Sequence, residues 1–215
     1  MAVVLKIFSK APVPGAVKTR LIPALGPEGA ARLQRWLTRR TVALACAAGY
    51  EQVELWCAPH SGHSFFGELA RAYPVVLRDQ WGMDLGERML NALGHDPGAG
   101  AGVLVGCDCP DLDTAMLRAA RQALEGDGAA VVLGPAMDGG YVLIGMHAAL
   151  PELFSGMPWG TDAVLALTRR RLRALGVRAL ELEPVRDLDR PEDLHLLEEH
   201  PDCPPRLAPA VPSST

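Results

Sequence analysis

Apolar residues in this chain fall into short, β-branched runs separated by amphipathic stretches, and the alternation repeats from one end to the other. Residues 3–8 form an apolar run that stops at Ser9-Lys10, the pattern of a buried parallel strand followed by a loop. The next stretch, 11–21, holds Pro12, Pro14 and Gly15 and is too broken to be helical; Pro27-Glu28 then opens a long amphipathic run to about residue 48. The same order continues with a strand at 53–58, a helix at about 63–72, a strand at 75–77, a helix at about 85–93, a strand at 103–106, a helix at about 114–124 and a strand at 129–134. Residues 141–146 read as a further strand and 162–175 as a helix capped by Thr161. Residues 177–182 read as a last strand and 192–199 as a closing helix.

Strands alternating with helices specify a parallel sheet covered on both faces, so the expected fold class is α/β with three layers. No internal repeat is present. The length, 215 residues, suits one sizeable domain over 1–200 and is too short for two domains and a long linker. From Pro201 onward the chain is proline-rich with little to bury, and a flexible tail lying loosely on the surface is expected over 201–215.

Charge narrows the function. The net charge is −4 and the arginines are scattered apart from Arg169 to Arg171, so a nucleic-acid partner is not expected. The five cysteines form no C-x-x-C pair and are odd in number, which suits a reducing cytoplasm better than a disulfide framework. The first residues enter an apolar strand at once, and no export signal or membrane span is expected.

In an open parallel sheet, ligands bind beyond the carboxyl ends of the strands, so four loops there are candidates. In the first, Lys10, Lys18 and Arg20 place three cations between a buried strand and a helix, able to neutralise a polyphosphate or merely solvated. In the second, Asp108 and Asp111 follow the strand that ends at Gly106; a hard divalent cation needs carboxylate at such a position, while Asp113 reads as the N-cap of the next helix. Cys107 and Cys109 flank Asp108 but lack the spacing of a zinc site and read as packing residues.

In the third loop, Asp138 precedes Gly139 and Gly140, which let backbone approach a ligand closely; Asp-Gly is also a common hairpin turn. In the fourth, Asp187 and Asp189 project to one side if the backbone is extended, although Asp189 could simply cap the final helix. Two polar-aromatic stretches, 81–89 with Asp84 and Gly86 and 157–162 with Trp159, Thr161 and Asp162, could line nucleotide and acceptor pockets or serve as caps beside a core tryptophan. None of the six histidines shows metal-ligand spacing.

Taken together, the segments K-A-P-V-P-G-A-V-K-T-R-L, D-L-G-E-R-M, V-G-C-D-C-P-D-L, L-G-P-A-M-D-G-G-Y-V-L-I-G, W-G-T-D and D-L-D-R-P-E-D-L resemble one family over about residues 3–198. It is the glycosyltransferase-like family of unknown function (DUF2064) within the GT-A, or nucleotide-diphospho-sugar transferase, superfamily, associated with radical-SAM and arsenosugar pathways and related to phospholactate guanylyltransferases. The resemblance implies a Rossmann-like GT-A fold with a mostly parallel central sheet and an antiparallel strand. It also implies that Asp108 is the metal- and ribose-binding aspartate and that Asp187 or Asp189 holds the second metal position, with Mg²⁺ or Mn²⁺ as the cation. Lys18 and Arg20 fall where related nucleotidyltransferases hold phosphates. Two departures stand out: Gly106-Cys107 replaces a more usual Gly-Ser or Gly-Thr, and Gly160 stands where Ser is common.

Three functions follow as expectations. In glycosyl transfer from a nucleotide-diphospho-sugar to a small-molecule acceptor, the cation neutralises the leaving diphosphate, Lys18 and Arg20 assist, and Asp138 orients acceptor or sugar. The nucleotide contacts would come from Lys10, Lys18, Arg20, Asp84, Gly86 and Asp108. The substrate contacts would come from Asp138, Gly139, Gly140, Trp159, Thr161 and Asp162. In nucleotidyl transfer, a phosphorylated or carboxylated acceptor attacks a nucleoside triphosphate and pyrophosphate departs. The cation-rich first loop favours this version, but Pro12 and Pro14 supply no N–H to cradle a triphosphate. The third is a catalytically silent nucleotide-binding module.

Overall fold

The computed structural model describes residues 2–95, 100–126, 129–200 and 202–204. The apolar runs become strands β1 (Val3–Lys10), β2 (Gln52–Ala58), β3 (Val76–Asp79), β4 (Ala101–Gly106), β5 (Val131–Pro135), β6 (Tyr141–Met146) and β7 (Ala179–Glu181). Between them run helices α1 (Ile22–Ala47), α2 (Ser64–Ala72), α3 (Leu85–Gly94), α4 (Thr114–Glu125), α5 (Pro151–Phe154) and α6 (Val164–Ala174). The sheet order is β3-β2-β1-β4-β6-β5-β7, parallel except for β6, which runs antiparallel to β4 and β5. This is the expected α/β fold with one antiparallel strand in a mostly parallel sheet.

Burial on both faces explains the unbroken apolar character of the central strands. On one face Leu5, Ile7, Leu55 and Val105 pack with Phe65 and Phe66 of α2 and Leu117 of α4. On the other, Trp56, Leu104 and Ile144 pack with Met89 of α3 and Leu165 of α6. A third cluster, Leu21, Leu33, Leu37, Leu188, Leu194 and Leu197, fastens the C-terminal segment onto α1. Leu188 is fully buried there, which contributes about 1.5–3 kcal/mol and holds the residues on either side of it in place.

Several boundaries differ from the sequence expectation, each for a local reason. Helix α1 starts at Ile22, with Gly26 at φ 67 breaking it so that Pro27 begins a second helical piece. Thr161 is not the cap of α6: the helix starts at Val164 after Ala163, and the Thr161 hydroxyl donates to the Pro158 carbonyl at 2.8 Å. The expected strand over 177–182 shortens to Ala179–Glu181 because β7 lies at the sheet edge and pairs only with β5. The closing helix is a 3-10 helix, Pro191–Glu199, opened by the Asp193 carboxylate, which accepts from the backbone N–H of Asp189 and of Arg190. Asp113 caps α4 as expected, its carboxylate accepting from the Met116 N–H at 2.7 Å. Of the expected loose tail, the described residues Asp202–Pro204 are held, Trp36 Nε1 donating to the Asp202 carbonyl at 3.1 Å; Pro201 and 205–215 lie outside the described residues. No helix among the described residues is long and apolar enough to cross a membrane.

Candidate active site

A cleft of about 730 Å³ opens along the carboxyl ends of β1, β4 and β5. Its walls include Lys10, Lys18 and Arg20 from the first loop, Asp84 at the start of α3, and Asp108, Asp138, Asp187 and Asp189. The four loops picked out from the sequence therefore meet in one place.

Lys18 carries the least ordinary geometry in the site. Its backbone is left-handed, φ 48 and ψ 42, the one non-glycine residue with positive φ among those described. Such a conformation costs of order 1–3 kcal/mol and persists only where the surroundings enforce it. Here the turn throws the side chain inward: it is 4% exposed, its ammonium donates to the Leu188 carbonyl, and it pairs with Asp108 Oδ1 at 2.7 Å. Asp108 remains 61% exposed, so its carboxylate also faces the cleft. Arg20, 60% exposed, pairs with Asp189 nearby, and Lys10 is exposed as well.

The second half of the site is the strap after β7. Val185 bridges Ala136 in parallel, its N–H donating to the Pro135 carbonyl at 3.0 Å and its carbonyl accepting from the Met137 N–H at 3.0 Å. The strap then crosses to β4, where the Leu188 N–H donates to the Asp108 carbonyl at 2.8 Å. Asp187 thus lies half-buried between the ends of β4 and β5. Burial pushes its carboxyl up to about 6, and the charges of Asp138, Asp189 and Asp193 push the same way.

Asp138 is both a hairpin residue and a cleft carboxylate. It turns the chain from β5 into β6, and its Oδ1 accepts from the Gly140 N–H at 2.8 Å. Gly139, at φ 90, has no room for a side chain: a Cβ would stand 2.3 Å from the Asp162 carbonyl oxygen. The Gly139 carbonyl accepts from the Leu165 N–H at 2.9 Å, so the turn is docked onto the start of α6.

Gly86, Gly139, Trp159, Thr161 and Asp162 do not line the cleft among the described residues. Gly86 is a packing position, since a Cβ there would meet the Phe154 carbonyl oxygen and Trp159 Nε1 at 2.8 Å each. Trp159 stacks on Phe154 and meets Tyr141 edge-on, so it supports the β6 wall from behind. Asp84 does line the cleft, and it also caps α3 by accepting from the Glu87 N–H at 2.8 Å.

Gln34, Gln80 and Arg88 line the cleft as well, the two glutamines without any expected role. Arg88 stood inside the D-L-G-E-R-M segment; nothing in the pattern singles out the two glutamines. Cys107 and Cys109 are buried, and burial, with the charge of Asp108 or Asp111 behind it, pushes both thiols up to about 12, as inert packing groups require.

Among the described residues, no three His, Cys, Asp or Glu side chains converge as a ready-made metal cage. Asp108, Asp187 and Asp189 all line the cleft, and a hard cation of the magnesium type needs fewer protein ligands than a cage. Such an ion takes one or two protein carboxylates and fills its other positions with water and phosphate oxygens. The half-buried Asp187, crowded by the charge of Asp138, is a carboxylate that a cation would relieve.

The same architecture occurs in solved structures. A protein from Desulfovibrio desulfuricans G20, provisionally named a nucleotide-diphospho-sugar transferase, superposes with a TM-score of 0.81 at 28% identity, over 97% of this chain and 94% of that one. A cytidylyltransferase from Leptospira borgpetersenii superposes at 0.61 with 16% identity, over 92% of this chain and 85% of that one. Rv0371C of Mycobacterium tuberculosis H37Rv, solved with manganese, superposes at 0.52 with 18% identity, over 93% of this chain and 100% of that one. At such identities the last two show a shared fold alone. No protein of curated function matches the sequence. Residues 41–161, more than half of the chain, match the family described as uncharacterized protein conserved in bacteria (DUF2064), and the chain belongs to that family.

Proposed function

We propose that the chain is a divalent-cation-assisted transferase that uses a nucleotide-activated donor, and that it moves a glycosyl group from a nucleotide-diphospho-sugar to a small-molecule acceptor. One observation carries this reading: the hydrogen bond from the Leu188 N–H to the Asp108 carbonyl draws the strap bearing Asp187 and Asp189 against the strand end bearing Asp108. Acidic groups distant in sequence thereby share one cleft with Lys18 and Arg20.

Asp108 and Asp187, with Asp189 beside them, would hold magnesium or manganese, which supplies positive charge against the donor's phosphate oxygens. Lys18, fixed beside Asp108, adds charge that needs no reorganisation when the diphosphate departs. Arg20 is freer: its pairing with Asp189 is largely exposed and worth about 0–1 kcal/mol, so it can turn toward the donor at little cost. Asp138 orients the acceptor or the sugar from the β5–β6 turn. Lys10 and Asp84 add donor contacts at the two walls, and Gly140 keeps the floor beside Asp138 low.

The ion pairs favour a diphosphate over a triphosphate. Lys18 is held against Asp108 and only Arg20 can turn away from its carboxylate, which leaves less uncompensated charge for a third phosphate. Nucleotidyl transfer is the second reading, favoured by the gathering of Lys10, Lys18 and Arg20 in one cleft.

Pure protein incubated with Mg²⁺ or Mn²⁺ and panels of nucleotide sugars and nucleoside triphosphates separates the readings. Release of nucleoside diphosphate from a sugar donor is the expected result. Pyrophosphate release instead would establish the second reading, and nucleotide binding without turnover would mean a silent binding module.

A further inference from the structure

We infer that Arg186 is a positioning residue whose guanidinium locks the strand end carrying Asp108 to the strap carrying Asp187, and so sets how far apart the two carboxylates stand; the inference rests on the cation-assisted reading above. Arg186 does not line the cleft. Its Nε donates to Asp111 Oδ2 at 2.7 Å and its Nη2 to Asp111 Oδ1 at 3.1 Å, a two-pronged grip on the loop that begins at Asp108. From its other edge Nη1 and Nη2 donate to Glu199 Oε1 and Oε2 at 3.1 and 2.8 Å, which fixes the guanidinium against the 3-10 helix. The backbone joins in: the Arg186 N–H donates to Asp111 Oδ2 at 3.3 Å, and its carbonyl accepts from Cys109 Sγ at 3.1 Å.

The Asp187 carboxylate itself has no hydrogen bond to another residue among those described, so its position is inherited from its neighbours. On one side stands Arg186, held by Asp111, Glu199 and Cys109; on the other stands Leu188, held by Asp108 and by burial. Stability alone is a weak explanation for so many contacts. Arg186 is 38% exposed, and solvent screens its ion pairs. A fork gripping a carboxylate fixes direction as well as distance, which a lysine cannot do.

The test uses the full chain and two readouts that do not require turnover. The first is hydrogen exchange at the Leu188 amide without ligand; the second is the half-saturating concentration of Mn²⁺ added alone, followed by electron paramagnetic resonance. Arg186→Met should expose the Leu188 amide at least tenfold while the β1 and β4 amides stay protected, and should weaken Mn²⁺ at least tenfold. Arg186→Lys, which keeps the charge and loses the fork, should resemble the methionine variant. Glu199→Gln, which loosens only the outer grip, should shift both readouts less than threefold. Asp111→Asn weakens the same fork and substitutes if the methionine variant does not fold.

A drop in melting temperature with Leu188 exchange and Mn²⁺ affinity unchanged would overturn the inference, as would a lysine variant indistinguishable from the natural chain. If the natural chain binds no Mn²⁺, the cation reading fails, and the exchange data still decide whether Arg186 holds the strap.

Discussion

The chain contains two buried lysines, each paired with one carboxylate, and they do different things. Lys6 of β1 meets Glu54 of β2 in the middle of the sheet, 3.1 Å apart, with the side chains 3% and 1% exposed. Glu54 also accepts from Trp56 Nε1 at 2.9 Å, Gln52 Nε2 at 3.0 Å and Arg78 Nε at 3.2 Å, and Lys6 lies over the Trp56 ring. Burial alone would raise the Glu54 carboxyl, but Lys6 and the Trp56 and Arg78 donors hold it below its ordinary range. Lys18 is as buried as Lys6, yet its partner Asp108 is mostly exposed and its own backbone is strained. A saturated, relaxed pair is part of the framework. A strained pair with an acceptor facing open space is poised for something that arrives from outside.

Breaking the framework pair should have the largest effect. Lys6→Met leaves the buried Glu54 carboxylate with only the partly exposed Arg78 as charge partner, which costs about 3 kcal/mol, the low end for a broken buried pair. Urea unfolding should register that loss, while the fraction that remains folded binds nucleotide as before. A variant as stable as the natural chain would mean that the pair is no part of what holds β1 to β2.

Breaking the cleft pair should invert that pattern. Asp108→Asn keeps an oxygen for the Lys18 ammonium and removes the charge that a divalent cation needs. Cation-dependent turnover should fall at least about a hundredfold, equivalent to about 2.7 kcal/mol in the barrier, with the melting temperature within a few degrees of the natural chain. Nucleotide affinity and turnover both unchanged in this variant would remove Asp108 from the site.

The contrast also shows what could be read from the sequence. The strand order of chemistry was legible because buried parallel strands are continuous apolar runs, and the polar residues just after them had to lie at their carboxyl ends. That logic reached Asp108, Asp138 and Asp187, all of which line the cleft. It could not show that Lys18 adopts a left-handed backbone, that it spends its charge on Asp108, or that Arg20 spends its charge on Asp189, since those depend on the strap crossing from β5 to β4. Nor could it separate Gly139 from Gly140. Both permit close approach, but one abuts Asp162 backbone and the other the cleft. Thr161 has the residue type and the place in the pattern of a helix cap; Gly160, at φ 81, turns the chain so that α6 begins only at Val164, four residues after it.

The smallest effect has the most specific signature, because it changes sign with the usual expectation for an aspartate. In the unfolded chain the Asp187 carboxyl titrates near 3.9, and in the fold burial and neighbouring charge raise it to about 6. The folded state therefore binds the proton more tightly. The contribution of Asp187 to stability is fully present below pH about 4, declines as pH rises through 6, and leaves a deficit above that. After allowance for solvent around a half-buried group, the deficit is about 1–2 kcal/mol. Asp187→Asn should accordingly stabilise the ligand-free protein at pH 8 by about 2–8 °C and leave it nearly unchanged at pH 4. Saturating Mn²⁺ should close the gap at pH 8 by stabilising the natural chain and not the variant, as a cation bound only to the folded state must. Equal melting temperatures at pH 8 without metal would show that neither burial nor the charge of Asp138 raises the Asp187 carboxyl in the folded chain.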